Sequence, residues 1–446
     1  MTSPIESAID RHARNLAFTD GDQKVTYAEL GERIDEFSQR FLRHFDPGQQ
    51  VAWCPRNDLE SLVTFWALHH SRLVVCPISF RIPEERRPDI LRQLDATWLN
   101  RDSREQTGRQ AEPFQASSSN EDQTPATLIL SSGSTGQPKA VVHSMAAHVA
   151  SAEGAASNMP LTQIDRWLWS LPLFHVSGLS ILVRCAVAGA TVVGTRHDRP
   201  LGVKELEEAK VTHLSVVSTQ LRRLLEEPAF PNHSLKWVLL GGSSVDPRLV
   251  TSARERGINV LTTYGLTETA SQVSTSSNDG DPSGSGKVLP NRELKIDQSG
   301  EILVRGKTLC LGYYRNGKIH SVVNDDGWFP TRDLGSMDES GQLFVRGRID
   351  NMFVSGGENI YPESIERAIK ASFDVDEAVV IPKRDPEFGA RPVVFVSAPL
   401  PQDWQSTLRA VLHGFEIPVT AHDLPFDRTQ SLKVNRHELE KLLKDD

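Results

Sequence analysis

The chain has 446 residues, too many for one ordinary hydrophobic core, so a large domain plus a smaller one is expected. Hydrophobic residues at 38% and charged residues at 24% describe a soluble globular protein and exclude a disordered or membrane-spanning one. A formal net charge of -9 argues against nucleic acid as the main partner, so an anionic ligand needs its cations gathered locally.

The start, MTSPIESAIDRH, carries acids and no apolar run, so no secretion signal is expected. In VTYAELGERIDEFSQRFL, Thr26 and Glu29 form a capping-box pattern ahead of an amphipathic helix with Leu30, Ile34, Phe37 and Phe41 on one face. Apolar runs such as LVVCPIS then alternate with helical segments, predicting βαβ units and a largely parallel sheet. Residues 101–124, rich in Ser, Gln, Asn and charge with Phe114 as their one aromatic, predict an exposed connector between two lobes. The pattern resumes in TLIL, KAVVHS, LSVVSTQLRRLLEE, WVLLGGSSVDPRLVTSARERG and NVLTTYG, each a strand meeting a turn or helix. The most apolar stretch, 181–194, is interrupted by Arg184 and falls short of the roughly 20 residues that span a bilayer.

A second polar break, SSNDGDPSGSGK, precedes residues 293–346, which read as short β-hairpins. The remainder has its own α+β alternation, with SIERAIKAS and WQSTLRAVLHGF as helices and EAVVIP and PVVFVSA as strands. The domain boundary is expected near Asp350, dividing the chain into 1–349 and 350–446. Cys54, Cys76, Cys185 and Cys310 show neither a CxxC pair nor zinc spacing and read as reduced thiols of a cytoplasmic protein.

SSGSTGQPKAVVHS, from Ser131, is the strongest local signal. A short apolar strand leads into the hydroxyls of Ser131, Ser132, Ser134 and Thr135, the glycines Gly133 and Gly136, and then Lys139. Small residues let backbone N–H groups approach phosphate oxygens, hydroxyls donate further bonds, and the Lys adds charge. Composition alone fits a surface Gly/Ser loop; the preceding strand and the terminal Lys favour phosphate binding. A Walker A loop is excluded, because Pro138 stands where a Gly is required and Ala140 follows Lys139 where Ser or Thr should hold magnesium.

STGQPKAV resembles the signature of the adenylate-forming superfamily, and the likeness continues in order through PLFHVSG, LLGGSSVDP, YGLTET, GWFPTRDLG, GRIDNMFVSGGENIYPESIE and KVNR. This resemblance implies a large N-terminal domain of stacked mixed α/β sheets plus a β-subdomain, with a small mobile α+β C-terminal domain. It also implies an acyl-CoA synthetase that uses ATP, Mg2+ and coenzyme A, with no membrane insertion. YGLTET follows an apolar strand, so Tyr264, Thr267 and Glu268 emerge at a strand end, where ligands bind in α/β sheets. There the family resemblance assigns purine stacking to Tyr264, phosphate bonding to Thr267 and magnesium to Glu268, an oxygen ligand suited to a hard cation. Gly241 and Gly242 would let backbone approach adenine, or serve an ordinary turn. Asp333 matches the carboxylate that takes the ribose hydroxyls, although the family more often has Gly where Arg332 stands. Arg348 matches a ribose or phosphate contact and Asp350 the hinge of the small domain.

Lys433 is the expected catalyst of adenylation, since an ammonium stabilises charge building on the α-phosphate; Leu432 precedes it where relatives often have Gly. Gly356, Gly357 and Glu358 match a loop that lines the pantetheine tunnel, or the two glycines serve a tight turn. His175 reads either as a satisfied core histidine or as a residue shaping the acyl pocket. The motifs VHSMAAHVASAEGAAS, SLPLFHVSGLSILVRCAVAGA, VNDDGWFPTRDLG and FGARPVVF resemble the o-succinylbenzoate–CoA ligase family of menaquinone biosynthesis. That substrate is an aromatic dicarboxylic acid, whose unreacted carboxylate needs a cation in a mostly apolar pocket. Arg184 is the candidate, though it can instead snorkel or pair with a structural carboxylate. A CoA ligase of other specificity, an adenylation enzyme loading a carrier protein and an inactive adenylate-binding protein are the alternatives.

Overall fold

A computed structural model describes residues 3–100, 106–107, 123–131, 138–195, 202–231, 234–242, 245–425 and 436–443. The mixed α/β sheets implied by the family resemblance are present: two large sheets form, each parallel in its centre and antiparallel at its edges, rather than the single largely parallel sheet that periodicity alone predicts. In the nine-stranded sheet, Leu16–Thr19, Thr191–Val193, Arg166–Leu168, His213–Val216, Trp237–Leu240 and Val260–Leu266 run parallel. In the eight-stranded sheet, Ala96–Leu99, Gln50–Trp53, Val74–Pro77 and Pro125–Ser131 do so. The first three of these four are buried at every position, as expected of parallel strands covered on both faces.

Local signals in the chain produce the packing that joins the sheets. Thr26 and Glu29 make the reciprocal capping box, with the Thr26 backbone N–H donating to Glu29 Oε2 at 2.7 Å and the Glu29 N–H donating to Thr26 Oγ1 at 3.3 Å. The helix Tyr27–Phe37 that follows buries Leu30, Ile34 and Phe37, and Phe41 packs against the same core one π-helical turn later. The helix Val176–Ala188 is buried almost all round and ends at Gly189 in the left-handed conformation.

Two further expectations change. The flanks of the 101–124 segment, Ala96–Leu99 and Pro125–Ser131, belong to one sheet, so the segment links strands of a single lobe. Its polar composition signalled exposure but carried no information about where the chain returns. The WQSTLRAVLHGF segment is helical only over Trp404–Leu408 and continues as turns, with Leu408 as its buried residue. The short β-hairpins expected within 293–346 do form, and they divide between two sheets. Arg292–Ile296, Glu301–Gly306, Phe329–Met337 and Leu343–Arg348 form an antiparallel four-stranded sheet, whereas Gly312–Arg315 and Lys318–His320 extend the eight-stranded one.

Beyond the turn Ile349–Asn351, the chain buries hydrophobic clusters of its own. Strand alternation sends Ala378, Val380, Val394 and Val396 into one cluster with Ile365 and Ile369 of the helix Pro362–Ser372. Val379, Ile381, Val393 and Phe395 go to the other side, where Leu439 of the helix Arg436–Leu442 covers them. Among the described residues, no helix is long and apolar enough to cross a membrane.

Arg436 fastens that last helix. Its guanidinium donates to Glu366 Oε1 at 2.6 Å, Glu366 Oε2 at 3.0 Å and the Val380 carbonyl at 2.6 Å. Glu366 is buried, so removing its cation leaves a charge without its partner. Arg436→Ala is expected to cost the C-terminal unit about 3 kcal/mol. Hydrogen exchange should then accelerate in 436–443 and along Ala378–Asp385, while the nine-stranded sheet keeps its protection.

Candidate nucleotide and acyl site

The phosphate-loop motif is clamped at its base. Pro125–Ser131 leads in, Lys139–Ser144 returns antiparallel, and Ser131 lies opposite Lys139 in register. Ser132, Gly133, Ser134, Thr135 and Gly136 lie outside the described residues. The Gln93 side chain donates to the Pro138 carbonyl at 2.8 Å, tying the loop's exit to the helix Arg87–Leu94.

Alternation along the return strand places Lys139, Val141 and His143 on one face. The next strand adds Tyr313, paired with Val141. Three hydrogen bonds hold the Thr267–Thr269 turn, two from His143 and Tyr313 and one from Cys310. His143 Nε2 meets the Thr267 carbonyl at 2.6 Å, the Cys310 N–H donates to the Glu268 carbonyl at 2.8 Å, and the Tyr313 hydroxyl donates to Glu268 Oε1 at 2.7 Å. Burial pushes His143 down to about 4, so the ring is neutral and donates from Nε2 to a carbonyl that can only accept. Burial and the neighbouring Glu268 charge push the Tyr313 phenol up, which preserves it as a donor. The Lys139 ammonium lies 5.0 Å from the centre of the Tyr313 ring. Gly265 is required by close approach, because a Cβ there would meet the Ser271 carbonyl oxygen at 2.0 Å.

The second group lies across the four-stranded sheet, where Asp333 and Arg348 are register partners. Asp333 Oδ1 accepts from Arg348 at 3.0 Å and Oδ2 from the Tyr264 hydroxyl at 2.7 Å. Burial raises the Asp333 carboxyl above its ordinary value even though Arg348 and Tyr264 pull the other way. Arg348 also bonds Asp350 Oδ2 at 3.0 Å, and Arg332 bonds Asp350 Oδ1 at 2.9 Å. Burial alone would raise Asp350, but these two guanidiniums hold it below the usual carboxylate range. Arg332 has φ 65, a left-handed backbone that Gly would adopt without strain. The charges of the two groups reach each other: Glu268 adds to the upward push on Asp333, and Arg348 acts on Tyr313. Tyr264, read from sequence as a purine stacker, has its hydroxyl engaged by Asp333 and its ring packed with Val273, Ile302, Val304 and Leu343.

His175, expected from sequence at an acyl pocket, is exposed at the N-terminal end of the helix Val176–Ala188, with its ring 4.7 Å from Phe174, and so is not a core histidine. Arg184 is 4% exposed. Its Nη2 donates to Gln272 Oε1 at 2.6 Å and to Ser271 Oγ at 3.4 Å, its guanidinium lies 5.2 Å from the Trp167 ring centre, and its buried Nε has no partner. Burial, with Arg292 nearby, pushes Arg184 down to about 9, and no carboxylate pairs with it among the described residues. Ala152, Met159, Leu161, Trp167 and Arg184 line a cavity of about 20 Å³, room for a single water and far less than an aromatic diacid needs.

Gly241 follows the strand Trp237–Leu240 and abuts Thr263, where a Cβ would meet Cγ2 at 2.6 Å; Gly242 has φ 90. Gly356 and Gly357, at φ 59 and φ 90, form the two-residue turn between Phe353–Ser355 and Glu358–Ile360. The Gly356 N–H donates to the Phe388 carbonyl at 2.9 Å. The turn geometry therefore requires both glycines, and Glu358 opens the return strand. Lys433 lies outside the described residues. Sequence reasoning missed Tyr313, His143, Gln272 and Arg436. Each gains its role from a strand or helix partner far along the chain; the residue doublet in LGYYRNGK and the terminal Arg of KVNR were the available signals.

The AMP-binding enzyme family profile matches residues 5–314. The 2-succinylbenzoate--CoA ligase of Escherichia coli (strain K12) is 37% identical over 440 residues, which cover 95% of this chain and 94% of that protein. The o-succinylbenzoate CoA synthetase (MenE) of Bacillus subtilis, solved in complex with the acyl-adenylate intermediate OSB-AMP, superposes with a TM-score of 0.87. It shares 28% identity, with 99% of this chain and 98% of that one covered. The same protein solved with ATP and a magnesium ion gives a TM-score of 0.86 at 28% identity, covering 98% of this chain and 99% of that one.

Arg348 is the only cation bonded to Asp333 among the described residues. Arg348→Ala is expected to cost about 2 kcal/mol at neutral pH, less than a deep pair because the guanidinium reaches solvent. The Asp333 carboxyl, already raised when folded, would rise further in the variant. The folded state would then bind the proton more tightly than the unfolded state, so the deficit should shrink as pH falls toward the raised value. Denaturant unfolding at several pH values measures this; a deficit independent of pH would contradict the assignment.

Proposed function

Because this chain belongs to the AMP-binding enzyme family, we propose that it is an o-succinylbenzoate–CoA ligase of menaquinone biosynthesis, an AMP-forming acid–thiol ligase. The observation that carries this reading is the convergence of Lys139, Thr267, Glu268, Asp333 and Arg348 at the end of the strand Val260–Leu266, in a chain that matches the Escherichia coli ligase over almost its whole length. The substrate carboxylate attacks the α-phosphorus of ATP, pyrophosphate leaves, and an acyl-adenylate forms. The thiol of coenzyme A then attacks the acyl carbon, forming the thioester and releasing AMP.

In this reading the residues between Ser131 and Lys139 hold phosphates, Thr267 bonds phosphate and Asp333 receives the ribose hydroxyls. Gly241 and Gly242 admit backbone next to adenine. Glu268 fits Mg2+, since it offers carboxylate oxygens in a site without a preformed cage among the described residues, the manner in which Mg2+ binds when phosphates complete its shell. Bound there, Mg2+ supplies positive charge against the leaving pyrophosphate. Lys433 stabilises the charge that builds on the transferring phosphoryl group. Rotation of the small domain about Asp350 then removes Lys433 and brings the Gly356–Gly357 turn to the pantetheine arm. This requires Arg332 and Arg348 to exchange their bonds to Asp350.

Arg184 is the cation for the second carboxylate, and His175 shapes the entrance. An unpaired guanidinium donor costs free energy in a core unless a ligand satisfies it, which supports the role; the cavity must widen for the acid to enter. With four free cysteines, three of them buried, the protein reads as one of a reducing compartment, the cytoplasm.

Thioester formation followed by mass spectrometry, with ATP, Mg2+ and CoA, tests the reading against o-succinylbenzoate, benzoate, succinate and medium-chain fatty acids. O-succinylbenzoate is expected to be turned over far better than the rest. Arg184→Ala should reduce that preference, and Lys433→Ala should lower adenylation by at least about a hundredfold, the scale of losing one transition-state charge contact. Preference for another acid would keep the chemistry and overturn the pathway; adenylation without any CoA thioester would point to a carrier-protein acceptor.

A further inference from the structure

Two adjacent tyrosines on one strand face opposite ways and do different work. Tyr314 points to the hydrophobic side of the eight-stranded sheet, where its hydroxyl donates to Asp95 Oδ2 at 2.7 Å and its ring is 5% exposed. Tyr313 points to the nucleotide side, on the face shared by Lys139 and His143. Its hydroxyl bonds Glu268 Oε1 at 2.7 Å, and its ring carries the Lys139 ammonium 5.0 Å from its centre. One phenol thus touches both the cation at the end of the phosphate loop and the carboxylate suited to magnesium.

The arrangement solves a specific electrostatic difficulty. An ammonium and a carboxylate that both serve one phosphate–metal group would, in direct contact, neutralise each other and have to separate before binding it. Among the described residues the phenol stands between them instead. The ring holds the ammonium by a cation–π contact, worth little at an exposed site and easily surrendered to phosphate. The hydroxyl takes one lone pair of the carboxylate and leaves the remaining acceptor capacity for a metal. Magnesium demands near-ideal octahedral geometry, so a carboxylate whose rotamer is fixed beforehand avoids ordering at the moment of binding. The turn that carries Glu268 is independently held at the Thr267 and Glu268 carbonyls by His143 and the Cys310 N–H, which leaves the side-chain rotamer as the freedom for Tyr313 to settle.

The geometry points to Tyr313 as a positioning residue for magnesium–nucleotide binding: its hydroxyl orients the Glu268 carboxylate and its ring seats Lys139 apart from it. This rests on the proposed nucleotide reading of the site. The test is calorimetric binding of ATP at a series of Mg2+ concentrations, without acid or CoA, for the unaltered chain, Tyr313→Phe, Glu268→Gln and the double variant. Tyr313→Phe keeps the ring and removes only the hydroxyl. It should raise the Mg2+ concentration for half-maximal enhancement of ATP binding roughly tenfold, the scale of a hydrogen bond to a charged group. ATP binding without metal should stay within about twofold, as expected if the ring alone seats Lys139. The double variant should be no worse than Glu268→Gln alone, because the hydroxyl acts only through that carboxylate. An unchanged Mg2+ dependence in Tyr313→Phe, or losses that add in the double variant, would overturn the assignment. ATP binding without any response to Mg2+ in the unaltered chain would overturn this inference alone; if the unaltered chain binds no ATP, the nucleotide reading itself falls, and this inference with it.

Discussion

The site depends on one strand, Lys139–Ser144, held between Pro125–Ser131 on one side and Gly312–Arg315 on the other. Its antiparallel return closes the base of the phosphate loop, and its register decides which residues face the Thr267–Thr269 turn. Because side chains alternate, a slip of one residue would turn Lys139 and His143 into the hydrophobic layer and bring Ala140 and Val142 to the site. Pairing with Gly312–Arg315 brings a segment about 170 residues downstream into the same face, and with it Tyr313, opposite Val141. Local and distant parts of the chain therefore meet through backbone hydrogen bonds before any ligand arrives.

A chain with net charge -9 has to gather its cations in particular places, and it does so in two ways. Around Asp333 and Asp350, Arg348 and Arg332 are half-exposed and paired with carboxylates, a network that can exchange partners at little cost. Next to the helix Met145–Ala156, Arg184 of the helix Val176–Ala188 and Arg292 are buried and, among the described residues, are bonded only to neutral groups. The first arrangement leaves the Asp350 carboxylate shared between two cations, and the second leaves one buried guanidinium nitrogen, Arg184 Nε, without a partner among the described residues. Both follow from position: the first lies at the edge of a four-stranded sheet next to a turn, the second within a layer covered on both sides.

How much of this was legible in the sequence depended on the distance over which each feature is determined. The Thr26–Glu29 capping box, the strand ending in YGLTET and the alternating strands of the C-terminal part are local, and each formed where expected. The return of the chain after 101–124 to the same sheet was not legible, because strand neighbours are chosen by the whole fold. WQSTLRAVLHGF shows the limit of periodicity: its apolar spacing fits a helix, yet with Leu408 as the buried anchor it is helical for only five residues. Among the candidate site residues, Asp333, Arg348 and Glu268 were singled out by motifs, whereas Tyr313 and Gln272 owe their place to sheet pairing. Arg332 is an intermediate case, since its departure from Gly was visible and its left-handed backbone was not.

The central claim is that the acid is activated by transfer of an adenylyl group to its carboxylate. Substrate carrying 18O in the reacting carboxyl tests this directly, with the nucleotide and phosphate products analysed by mass spectrometry after one turnover with CoA. Attack of the carboxylate on the α-phosphorus, followed by thiolysis at the acyl carbon, must leave one labelled oxygen in AMP and none in pyrophosphate. Label in inorganic phosphate accompanied by ADP would mean an acyl phosphate, and unlabelled AMP would mean that the carboxylate never bonded to the α-phosphorus; either result contradicts the account.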